Sequence, residues 1–60
     1  MEREFIEKYL NEKVRIITIN QDFYVGTITR CSDDSFIILD KYENESQIMY
    51  GMVGIIKGVR

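Results

Sequence analysis

Sixty residues with one cysteine, no histidine and no proline leave little room for covalent or metal staples. Cys31 has no partner for a disulfide, and a zinc tetrahedron lacks its thiolates and imidazoles. A chain this short buries only about 60% of its extended surface, so oligomerisation is the expected source of extra burial. Ten acidic against eight basic residues give a net charge of −2. That balance counts against avid binding of duplex phosphate and leaves open a single strand gripped by its bases.

The chain opens on Glu2, Arg3 and Glu4 rather than on a basic and then apolar run, so no signal peptide is expected. No apolar stretch approaches the roughly 20 residues of a membrane span. The lone thiol fits a reducing compartment. Together these predict an intracellular chain, in cytoplasm or nucleus, with no membrane partner.

The elements follow in order. Phe5, Ile6, Tyr9 and Leu10 fall on one helical face, Glu2 and Glu4 suit the N-terminal end of a helix, and Asn11 is a stop. The spacing predicts an amphipathic helix within residues 1–12. From Val14 the period changes to that of strands. Val14, Ile16, Ile17 and Ile19 form the first, Asn20-Gln21-Asp22 the turn, and Phe23-Tyr24-Val25 through Ile28 the second. Gly26 lies inside the second strand, where glycine marks a bend or a close backbone approach. Ser32 to Ser35 is the next turn, and Phe36-Ile37-Ile38-Leu39 is a third strand, apolar on both faces and so expected to be buried on both. Tyr42 to Glu45 is a polar turn, Gln47 to Tyr50 a fourth strand, Gly51 a break, and Val53 to Ile56 a short fifth strand. With no linker or repeat, residues 1–60 read as one mostly β domain. A strongly bent five-stranded antiparallel sheet closing into a small SH3-like barrel over residues 13–60 is the economical solution.

This order resembles the Sm-like (LSm/Hfq) family. Val14-Arg15-Ile16-Ile17-Thr18, Val25-Gly26-Thr27-Ile28, Asp33 and Ile37-Ile38-Leu39-Asp40 look like its first motif. Met49-Tyr50-Gly51 followed by Val53 to Ile56 looks like its second. The stretch from Tyr9 to Asp40 is most similar to a nuclear LSm paralogue of the U6-snRNA ring, and the N-terminal helix with its short third turn is similar to bacterial and archaeal members. The resemblance implies the Sm fold and a homomeric or mixed ring of six or seven subunits, closed by strand four of one pairing with strand five of the next. It places Met49, Val53, Ile55 and Ile56 at the subunit interface. It also implies a non-catalytic role in RNA binding, RNA processing (splicing or mRNA decay) or ribonucleoprotein assembly, with no cofactor.

Family members hold a uridine between an apolar side chain and an Arg, with an Asn on the base edge. Here the Asn position falls on Phe36, the Asp position on Ser32 beside Asp33, and the Arg-Gly pair becomes Tyr50-Gly51. Two readings stay open. In one, Tyr50 stacks on a base while Asp33, Ser35 or Met52 touches its edge, so that Asp33, Ser35, Phe36, Tyr50, Gly51 and Met52 form a weak site for U- or A-rich single-stranded RNA. In the other, Phe36 is core, Tyr50 sits half-buried at an interface, and the subunit is a scaffold that has lost base recognition. An Hfq-like RNA-chaperone homo-oligomer is a further alternative. Asp33-Asp34 reads as a solvated turn rather than an acid/base pair, Cys31 as a small apolar strand-end residue, and Met49 and Met52 as packing. Lys57 and Arg60 admit either RNA contact or plain solvation.

Overall fold

The computed structural model describes residues 1–59; Arg60 lies outside them. A short helix α1 (Arg3–Glu7) precedes five strands: β1 (Lys13–Thr18), β2 (Phe23–Cys31), β3 (Ser35–Leu39), β4 (Glu45–Met49) and β5 (Val53–Gly58). A 3-10 turn, Tyr50–Met52, joins the last two. The strands form one antiparallel sheet in the order β4-β3-β2-β1-β5.

The helix is shorter than the 1–12 span its periodicity predicts. Asn11 adopts φ 66°, outside helical space. The Asn11 N–H donates to Ile28 O at 2.7 Å, and the Ile28 N–H donates to Glu12 O at 3.2 Å. Residues 10–12 therefore leave the helix to pair with β2. Of the predicted helical face only Ile6 is fully buried; Tyr9 is half-buried, while Phe5 and Leu10 stay exposed.

β4 and β5 stand at opposite ends of the strand order, yet only the three residues Tyr50–Met52 separate them. The sheet must curl until its two ends meet at that turn. Its near-equal extents of 25 × 22 × 20 Å agree with a curled rather than a flat sheet. Register shifts between Ile17 and Thr18 and between Ile28 and Arg30 supply local bending. Gly26 supplies more: a Cβ there would lie 2.3 Å from Leu39 O and 2.8 Å from Leu39 C. Only glycine lets β2 approach β3 so closely, as its place inside the strand suggests.

Period-2 alternation sorts the side chains. Val14, Ile16, Ile28, Phe36, Ile38 and Ile48 point inward and join Ile6, Tyr50 and Val53 in the core. The third strand, apolar on both faces, buries Phe36 and Ile38 but leaves Ile37 and Leu39 half-exposed. Lys13, Arg15, Phe23, Thr27 and Leu39 are out of phase with these inward residues and form the outer face of the sheet.

Candidate functional site

The turn between β2 and β3 and the Tyr50–Met52 turn meet at one corner. The Tyr50 N–H donates to Asp34 O at 3.3 Å, and the Tyr50 hydroxyl donates to Ser32 O at 2.6 Å. The Met1 amino group donates to Tyr50 O at 2.9 Å, and Arg3 Nη1 donates to Asp33 Oδ1 at 2.9 Å. The fold thus gathers Asp33, Ser35, Phe36, Tyr50, Gly51 and Met52 into one neighbourhood.

Burial divides that set. Phe36 is 0% exposed and Tyr50 7%, and their rings stack on each other with centroids 5.6 Å apart at 25°. Both are core residues, so the expectation that Tyr50 presents a flat face to a base is corrected: Phe36 already occupies a face and the protein interior covers the rest. Burial, reinforced by the neighbouring Cys31 thiol, pushes the Tyr50 phenol up from 10.0 to about 12. Ser35 is buried too, its Oγ accepting from Gln47 Nε2 at 2.8 Å. Burial is what withholds its hydroxyl from a base edge. Asp33 and Gly51 remain exposed and Met52 half-buried. The exposed Asp33–Arg3 pair adds at most about 1 kcal/mol to stability.

The four residues expected at a subunit interface divide as well. Met49 on β4 and Ile55 on β5 keep 58% and 57% of their surface in water. Both lie on the outer face of strands that have a partner on one side only. Val53, in contrast, is buried within the chain, because the Tyr50–Met52 turn carries it inward, and Ile56 is half-buried against the core. Two unpaired strand edges, each with an exposed apolar side chain, are surfaces that invite further strand pairing.

A second feature escapes a reading of the sequence by segments. The ends of β1, β2 and β3 and the turn after β3 enclose a groove of about 660 Å³ on the outer face. Lys13 and Thr27 line it, with Phe23 and Tyr42 as its exposed aromatics. Lys41 Nζ stands 5.0 Å from the Tyr42 ring centroid, and the Arg15 guanidinium 5.7 Å from that of Phe23. Asp40 also lines the groove, but its Oδ1 accepts the Asn44 and Tyr42 N–H groups at 2.9 and 2.8 Å. These bonds hold its carboxyl below its ordinary range. The signal available in sequence was parity: with Gly26 and Ile28 inward, Phe23 must face out.

No described helix is long and apolar enough to cross a membrane. No family model matches the chain, and no curated protein or solved structure matches it significantly.

Proposed function

We propose that this chain is a non-catalytic Sm-like ring subunit that serves in RNA binding, RNA processing or ribonucleoprotein assembly inside the cell. In this reading the curled sheet is an Sm-type small barrel. β4 of one subunit pairs with β5 of the next to close a ring of six or seven, with copies of itself or with other Sm-like subunits. The RNA is single-stranded, U- or A-rich, and weakly held by the chain alone.

The observation that carries this reading is the pair of open edges. β4 and β5 end the same sheet, and each presents one exposed apolar side chain, Met49 or Ile55. Pairing two different edges head to tail is heterologous, and it generates a closed ring when the rotation per subunit closes. Sixty residues with one cysteine and no histidine have reason to use such edges. The test is native mass of the purified chain, alone and after incubation with cell extract. A six- or seven-membered assembly, homomeric or mixed, is expected. A monomer at micromolar concentration that recovers no partner refutes the ring.

A second reading, a scaffold or adaptor subunit without base recognition, is favoured by the burial of Phe36 and Tyr50 and by the absence of the family's Arg and Asn. The two are separated by titrating the assembled protein with short oligo(U) and oligo(A) at moderate salt.

A further inference from the structure

The outer-face groove combines two features that ask for different parts of one ligand. The first is charge. Among the described residues both ion pairs use Arg3; Lys13, Arg15, Lys41 and Lys57 take part in none. Of these, Lys13 and Lys41 line the groove and the Arg15 guanidinium stands beside it, 5.7 Å from the Phe23 ring centroid; Arg15 and Lys57, directly opposed across the β1–β5 ladder, line a separate pocket. Like charges directly opposed on a sheet destabilise it. Among the described residues none of these cations has a carboxylate partner, although the chain carries two more acids than bases. Among the described residues Asp40 is the one carboxylate lining the groove, and its Oδ1 accepts from the Tyr42 and Asn44 amides. An anion bound in the groove meets the ammonium groups of Lys13 and Lys41.

The second feature is flat aromatic surface. Phe23 and Tyr42 line the same groove and are 57% and 72% exposed. Exposed rings of this kind are stacking platforms for bases, and the cations beside them reinforce the contact with a polyanion. An acidic peptide satisfies the charge and leaves the rings idle; a single-stranded polynucleotide uses both.

We infer that this groove is a binding site for single-stranded nucleic acid, with bases stacked on Phe23 and Tyr42 and phosphates near Lys13, Lys41 and the adjacent Arg15. The inference rests on the RNA reading above for its biological ligand and names its contact surface. The site lies within one chain, so it requires no ring closure. It also moves recognition away from the buried Phe36–Tyr50 pair to rings that water already reaches. Stacking without a base-edge partner tolerates any base, so oligo(U) and oligo(A) are expected to bind alike apart from stacking strength.

The test is a fluorescence-anisotropy titration of short oligo(U), oligo(A) and oligo-glutamate against wild type, Phe23→Ala, Tyr42→Ala and the double variant Lys13→Gln/Lys41→Gln. Native mass and circular dichroism are recorded on each. Each aromatic variant is expected to raise the oligonucleotide Kd about 5- to 150-fold while fold and assembly stay intact. The lysine variant is expected to reduce the salt slope by about 0.7 for each phosphate that a lysine no longer neutralises. Oligo-glutamate is expected to bind far more weakly than either oligonucleotide. The inference is overturned if wild type binds neither oligonucleotide, if both aromatic variants bind as wild type does, or if oligo-glutamate binds equally well. The native mass judges the ring separately: an intact ring with unaffected aromatic variants sinks this site and leaves the assembly standing.

Discussion

Replacing Gly26 by alanine tests the curvature of the sheet directly. The new Cβ would stand 2.3 Å from the Leu39 carbonyl oxygen, where ordinary contact begins at 3.4 Å. The β2 and β3 backbones must therefore separate by about 1 Å (3.4 minus 2.3) at this point. The obstructing atom belongs to the backbone of a paired strand, so it cannot swing aside as a flexible side chain would. Thr27 pairs with Leu39 and Ile28 with Ile38, so the neighbouring ladder carries the displacement. Overpacking costs about 1–3 kcal/mol, and a backbone obstruction belongs at the upper end. At about 0.05–0.15 kcal/mol per residue, a chain of this length holds only about 3–9 kcal/mol in all. A loss of about 3 kcal/mol lowers Tm by roughly 12–24 °C for a domain of this size. Thermal melts followed by circular dichroism read this, with Gly51→Ala as the control. Gly51 has nothing within 4 Å of an added Cβ and no positive φ, so its melt is expected to stay put or rise by a few degrees. The reasoning is refuted if Gly26→Ala melts within about 3 °C of wild type, or if Gly51→Ala falls as far.

Tyr50→Ala is expected to cost about 3–5 kcal/mol of folding stability by opening a cavity against Phe36. Tyr50→Phe, which removes only the hydroxyl donated to Ser32 O, is expected to cost about 1 kcal/mol; an unchanged urea midpoint for the alanine variant would show that Tyr50 is not core. Because burial raises the Tyr50 phenol from 10.0 to about 12, the folded chain keeps this proton between those pH values while the unfolded chain loses it. The contribution is fully present below pH 10 and disappears as pH rises through 12, a loss of about 2–3 kcal/mol. Tyr50→Phe should lack this alkaline loss, and equal alkaline behaviour of the two chains argues against the assignment. Met49→Lys and Ile55→Lys change side chains that water already reaches, so a lone chain should shift by no more than about 0.5 kcal/mol. In an edge-to-edge assembly the same changes bury an ammonium and are expected to dissociate it, which native mass detects; assembly unaffected by both changes places the contact elsewhere.

Much of the architecture was legible because strand periodicity is a local property. The β-branched run from Val14, the turn at Asn20-Gln21-Asp22 and the break at Gly51 mark element limits that the structure reproduces to within a residue or two. Gly26 was readable as a close approach because glycine inside a strand has few other uses. The apolar spacing of the helix continues through Leu10, whereas its end is set far along the chain, where the Asn11 N–H donates to Ile28 O and the Ile28 N–H donates to Glu12 O. The candidate corner was legible as a neighbourhood but not as a surface: motif position groups Phe36 with Tyr50, and nothing in a motif says that the two rings cover each other. Tyr42, read as part of a polar turn, became a groove residue only when that turn was set beside the ends of β1 and β2.

Composition and order alone therefore determined that the chain is mostly β, with one cysteine and no histidine, and they located the glycine on which the sheet bends. These follow from residue counts and from near-neighbour periodicity. Tertiary structure decided which aromatics are buried and which meet water, because that depends on strand parity propagated across several pairings. It also decided that β4 and β5, distant in strand order, converge at one turn with their outer edges free. Sequence specifies each strand's two faces, and only the curl of the whole sheet selects which face becomes the inside.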